Sequence, residues 1–66
     1  MPYETVDDLD EIKKRLLSPD AQEAFIKSYN FFWSKGLPEG LCFAMTWSNL
    51  KKEGFFKDPD TGIWIK

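Results

Sequence analysis

Apolar positions recur at helical spacing in three stretches of this 66-residue chain, and short β-rich segments flank them at both ends. The clearest stretch is Ser18 to Gly36. Ser18 suits an N-cap, and Pro19 the first helical position, where its missing N–H costs nothing. Asp20 complements the positive end of the helix dipole. Lys35 and Gly36 form a stop, with a cation in the last turn and a glycine able to turn left-handed. At about 100° per residue, Ala21, Ala24, Phe25, Ile26, Tyr29, Phe32 and Trp33 cover roughly 200° of arc. Glu23, Lys27, Asn30 and Ser34 remain as one narrow polar stripe. This width predicts a central helix covered on two sides.

Before it, Val6, Leu9, Ile12 and Leu16 are spaced three to four apart and predict one face of a short first helix. Thr5 with Asp8, or Asp7 with Asp10, provides a capping pair. The front of this helix is acidic (Asp7, Asp8, Asp10, Glu11) and its back basic (Lys13, Lys14, Arg15), which suits the dipole. It should end near Leu17, because Pro19 biases Ser18 away from helical angles. Tyr3 and Thr5 alternate with Glu4 and predict a short edge strand. After the central helix, Pro38 and Gly54 bracket a third helix whose inward face is Cys42, Phe43, Thr46, Trp47 and Leu50. The tail reads as a hairpin: Phe55–Lys57 and Ile63–Ile65 flank Asp58-Pro59-Asp60-Thr61-Gly62. An isolated hairpin is barely stable, so the Tyr3–Thr5 strand and a helix are expected to support it. The expected fold is thus a small α+β domain, residues 1–66. It has three helices and a short antiparallel sheet made by the N-terminal strand and the C-terminal hairpin. Its expected core is Tyr3, Leu9, Ile12, Leu16, Phe25, Tyr29, Phe32, Trp33, Trp47, Leu50 and Trp64.

Composition narrows the chemistry. A chain this short has a marginal core. Aromatic residues make up 17% of it, and each buries a large apolar area. Histidine is absent, which removes the commonest general base and the commonest metal ligand together. The single cysteine, Cys42, excludes an intrachain disulfide and fits a reducing compartment. A net charge of −2 argues against a whole-protein field that attracts nucleic acid. The longest apolar run, Leu41 to Met45, falls far short of the ~20 residues that span a bilayer. The acidic start MPYETVDD does not resemble a signal peptide. The expectation is a soluble protein without membrane insertion, cytoplasmic or, if viral, in the host-cell interior.

The chain resembles the ChaB family, small proteins named as cation transport regulators. The resemblance lies in Met1, Pro2, Tyr3, Thr5, Asp8, Leu9, Ala21, Gln22, Tyr29, Asn30 and Trp33, at the family's spacing and without gaps. Trp47 with Leu50-Lys51 is similar to the family's W-x-x-V-K. Asp60, Gly62 and Trp64 are similar to its terminal hairpin, with Ile63 in place of the usual lysine. Three features depart from bacterial members. Gly36 to Gly40 replaces a longer, charged loop, Phe43 stands in the region of a histidine, and Asp10 takes the place of a proline. The chain therefore looks like a divergent or trimmed member, of a viral or phage kind. The resemblance implies no enzymatic activity. It implies an accessory role toward a cation/proton antiporter, with nucleic-acid binding, as suspected for viral relatives, as the alternative.

Each candidate site has a plainer reading beside it. Asp58, Asp60 and Gly62 copy the front of a calcium loop, but the sequence stops short of a twelfth-position Glu, so a turn is expected and no metal or other cofactor. The Asp7–Glu11 acids read as helix-start charge rather than an acid–base pair. Cys42, without a base, reads as a small core residue. Lys13, Lys14, Arg15, Lys51, Lys52 and Lys57, interleaved with Trp47, Phe55 and Phe56, are the alternative nucleic-acid patch; the plainer reading is solvated faces around core aromatics. Gln22, inside the apolar arc, should tie the central helix to the Tyr3–Thr5 backbone. Phe31, Leu41 and Met45 are either covered by the third helix and hairpin or form an exposed patch for a protein partner. The expected state is a monomer or weak homodimer.

Overall fold

The computed structural model describes residues 3–66, so Met1 and Pro2 of the family pattern lie outside the described residues. Three helices are joined by short links: α1 (Glu11–Leu16), α2 (Pro19–Ser34) and α3 (Glu39–Lys52). A two-stranded antiparallel sheet follows, β1 (Phe56–Lys57) and β2 (Trp64–Ile65), with Phe56 opposite Ile65 and Lys57 opposite Trp64. This is a small α+β architecture.

Helix α2 starts and stops where the caps dictate. The Ser18 hydroxyl accepts the Ala21 N–H at 3.3 Å, Pro19 opens the first turn, and Gly36 takes φ 81° past the end. Helix α3 presents the expected face: Cys42, Thr46 and Leu50 are buried, and Phe43 and Trp47 pack against them. A band of aromatic rings joins the two helices. Phe25 lies 5.0 Å from Trp47, Tyr29 lies 4.9 Å from Phe43, and Trp47 continues to Trp64 at 5.3 Å. Leu9, Leu17, Ala21 and Phe55 complete the core. Among the described residues, no buried side-chain nitrogen or oxygen lacks a hydrogen-bond partner.

The first helix differs from expectation. Val6–Asp8 forms only a 3₁₀ turn, in which the Asp8 carboxylate accepts the Glu4 and Thr5 N–H groups. The chain then extends through Leu9 and restarts at Asp10, whose carboxylate caps the Lys13 N–H at 2.9 Å. That break shifts the helical phase. Ile12 is 68% exposed and Leu16 is also exposed, so neither belongs to the core. The buried leucine is Leu17, one residue past α1 in extended conformation.

The edge strand differs too. Tyr3–Thr5 is not a strand. The neighbour of β2 is instead Leu17, through an isolated parallel bridge to Trp64, with the Ser18 N–H donating to the Trp64 carbonyl at 3.0 Å. Tyr3 is held by a side chain: its N–H donates to Asn30 Oδ1 at 2.8 Å, and Asn30 Nδ2 donates back to its carbonyl. The amide reproduces the donor–acceptor pair of a neighbouring strand. Asn30 therefore leaves the predicted polar stripe and becomes a half-buried anchor. Gln22 is structural as expected but reaches other carbonyls, those of Lys14 at 3.2 Å and Leu17 at 3.0 Å. It fastens α1 and its exit, not Tyr3–Thr5, to α2.

Candidate functional site

The three residues expected at a partner patch are all open to solvent: Phe31 is 55% exposed, Leu41 50% and Met45 40%. The structure gives Phe31 a particular setting. It lines a groove of about 770 Å³ between the outer side of α2, the end of α3 and the hairpin. Ala24, Ile26, Phe32 and Phe55 supply apolar wall, and Asp20, Glu23, Lys27, Glu53 and Lys66 supply charge. Leu41 and Met45 are not in that lining, so the groove gathers only one of the three. Phe31 meets Phe32 edge-on at 5.3 Å, and the Lys35 ammonium sits 5.1 Å from its ring centre. Both contacts are local to α2; neither α3 nor the hairpin covers the ring. Phe31 is thus an exposed apolar residue on a wall of a concave surface, the setting in which binding surfaces occur.

Most of the groove leaves no mark in the sequence. Ser28 is buried and accepts a hydrogen bond from Asn49 Nδ2 at 2.7 Å, joining α2 to α3 where both line the groove. These residues are 21 positions apart, and nothing local singles out either one. Phe55 follows the α3 stop and is buried, with its N–H donating to the Leu50 carbonyl. Its sequence neighbourhood suggests a strand residue instead.

The basic residues divide. Lys13 pairs with Asp10 at 3.2 Å and lies 4.9 Å from the Phe43 ring centre, so it serves the α1–α3 contact. Lys14 is half-buried and Arg15 exposed on α1. Lys51 and Lys52 are exposed on the last turn of α3, about 12 Å along the helix from Phe43. Lys57 is exposed on β1. Of the stacking candidates, Trp47 and Phe55 are taken into the core cluster and Phe56 is 51% exposed.

The remaining candidates take structural places. The Asp58 carboxylate accepts the Asp60 N–H at 3.0 Å and the Thr61 hydroxyl at 3.1 Å, and Gly62 at φ 75° closes the turn. Asp8 and Asp10 are occupied by backbone N–H groups, and the Lys13 N–H holds the Asp10 carboxyl below its usual value. Among the described residues, no three His, Cys, Asp or Glu side chains are grouped to hold a metal ion. Cys42 is buried, with its sulfur 3.5 Å from the Leu37 carbonyl. Among the described residues, no helix is long and apolar enough to cross a membrane. No family model, curated protein or solved structure matches the chain.

Proposed function

We propose that this chain is a small, non-enzymatic, ChaB-like accessory protein of the cell interior that acts through a protein contact. The observation that carries this reading is the exposure of Phe31, Leu41 and Met45 on the two long helices. Ile12, Leu16 and Phe56 are exposed as well, and so much apolar side chain left in water on so small a domain suits a partner. Two further observations support it. Residues of the ChaB-like pattern hold the fold: Asn30 clamps Tyr3, Gln22 fastens α1, and Asp8 caps the first turn. Of the nucleophile and acid–base candidates Cys42, Asp7, Asp8, Asp10 and Glu11, Cys42 is buried, Asp8 and Asp10 cap backbone N–H groups, and Asp7 and Glu11 are exposed.

The proposed partner is a cation/proton antiporter. Titration of the chain into the antiporter of the same genome, held in nanodiscs, should give saturable binding. Leu41→Ser with Met45→Ser should abolish it without lowering Tm. Absence of binding at about 100 μM protein would overturn the reading, since that corresponds to little more than 5 kcal/mol of affinity. The alternative, nucleic-acid binding through Lys13, Lys14, Arg15, Lys51, Lys52 and Lys57, is separated by titrating labelled single- and double-stranded DNA. Affinity that falls steeply between about 50 and 200 mM salt would replace the antiporter reading with that one.

A further inference from the structure

The outer side of α2 carries charges that suit the helix dipole but make no ion pair within the chain. Asp20 and Glu23 lie toward its start, Lys27 at its middle and Lys35 just past its end. Asp20, Glu23 and Lys27 line the groove with Phe31, and Lys35 is held on the same side by its contact with the Phe31 ring. Among the described residues the one ion pair is Lys13–Asp10, so none of these four charges is paired within the chain. A helix face that is acidic at one end and basic at the other is complementary to itself when turned end for end.

We infer that the groove receives the α2 helix of a second copy of this chain, forming a symmetric antiparallel dimer. A two-fold contact is isologous: if one residue meets another across the axis, the reverse contact follows. With the axis midway between Lys27 and Ser28, Phe31 lies over Ala24 of the second copy and Lys35 faces Asp20 of the second copy, while the two Lys27 side chains flank the axis, a like-charge approach that the two end pairs must outweigh. Ala24 is a small side chain on this face, one turn from the equally small Ser28, so the bulk of Phe31 enters the space that Ala24 leaves, as a knob enters a hole. Glu53 and Glu23, also in the lining, add negative charge at the end where the second copy's Lys35 arrives, offset in part by Lys66, which lies beside Phe55. Sliding the register by three residues sets Phe31 on Lys27, and sliding it four the other way sets Phe31 on Asp20; both lose the fit. The apolar walls supplied by Ile26, Phe32 and Phe55 are then removed from water with the ring. A 16-residue helix offers a contact about 24 Å long, which places this interface at the small, concentration-dependent end of specific contacts.

This inference rests on the proposed function only in treating Phe31 as a contact residue; Leu41 and Met45 stay free for another partner. Sedimentation equilibrium of the full chain, from about 5 μM to 1 mM, tests it. The expected result is a monomer–dimer equilibrium whose dissociation constant rises at least tenfold in Phe31→Ser, with far-UV circular dichroism and Tm unchanged. Lys35→Glu should weaken the dimer, and Asp20→Lys added to Lys35→Glu should restore it. Amide shifts on dilution should map to residues 20 to 35 and to Glu53 and Phe55. A monomer throughout the range, failure of the charge swap to restore a dimer, or dilution shifts centred on Leu41 and Met45 would each overturn it. Antiporter binding is read in a separate titration, so either proposal can fail while the other stands.

Discussion

The two sides of α2 obey different rules. On the inner side, Ala21, Phe25, Ser28 and Tyr29 are all buried, and among the described residues every buried side-chain polar atom has a partner. On the outer side, four charges and Phe31 face water or the groove with only local contacts. The inner side therefore sets stability and the outer side is free to set recognition. One helix serves both because a core this small can cover only part of its surface.

Breaking the inner side should have the largest effect. Phe25 is fully buried and within 6.4 Å of the Tyr3, Tyr29, Phe43 and Trp47 rings. Phe25→Ala should cost about 3–5 kcal/mol. A domain of this size rarely holds more than about 3–5 kcal/mol, so the variant should show no cooperative thermal transition by circular dichroism. Asn30→Ala comes next. It leaves the half-buried Tyr3 N–H and carbonyl without the amide that pairs them, at about 1–3 kcal/mol, measured as a lower midpoint in urea. Proton exchange of the Tyr3 amide should quicken in the same variant.

A milder probe of the inner side is pH. Burial raises the Tyr29 phenol above its usual 10.0, helped by the Glu39 charge, and burial raises Tyr3 as well, helped by Asp10 and Glu39. A group whose folded pKa is raised loses protons first in the unfolded chain, so the stability it lends is whole below pH 10 and declines as pH climbs through the folded value. Urea midpoints should be level up to about pH 10 and fall above it, and Tyr29→Phe should flatten that fall. The smallest effect belongs to the outer side. Phe31→Ser should change stability by no more than about 0.5 kcal/mol, the range of ordinary surface substitutions. A loss of several kcal/mol would mean that Phe31 belongs to the core and that the contrast between the two sides is false.

Part of this contrast is legible in the amino-acid order. Helix α2 announces its ends because caps, Pro19 and Gly36 act through bonds within one turn. The α3 face is legible because 14 residues give four turns of repeated phase. The candidate contact residues stand out one by one, as apolar positions at the border of an arc, but the groove that holds Phe31 does not. Its walls come from Ala24, Asn49 and Phe55, and proximity across that distance in sequence leaves no local trace.

What the sequence determined by itself was local: the caps of α2 and the Asp58–Gly62 turn, fixed by hydrogen bonds or dihedral limits among near neighbours, and the inward face of α3, fixed by its repeated apolar phase. What only the tertiary structure decided was which of several equivalent apolar or amide side chains is used. Leu17 is buried and Leu16 is not, because the chain leaves α1 in extended form to bridge Trp64. Asn30 clamps Tyr3 while Gln22 turns to Lys14 and Leu17, because each amide takes the unpaired carbonyl within its reach. Six residues of α1 are under two turns, too few for periodicity to set the phase, so long-range packing sets it instead.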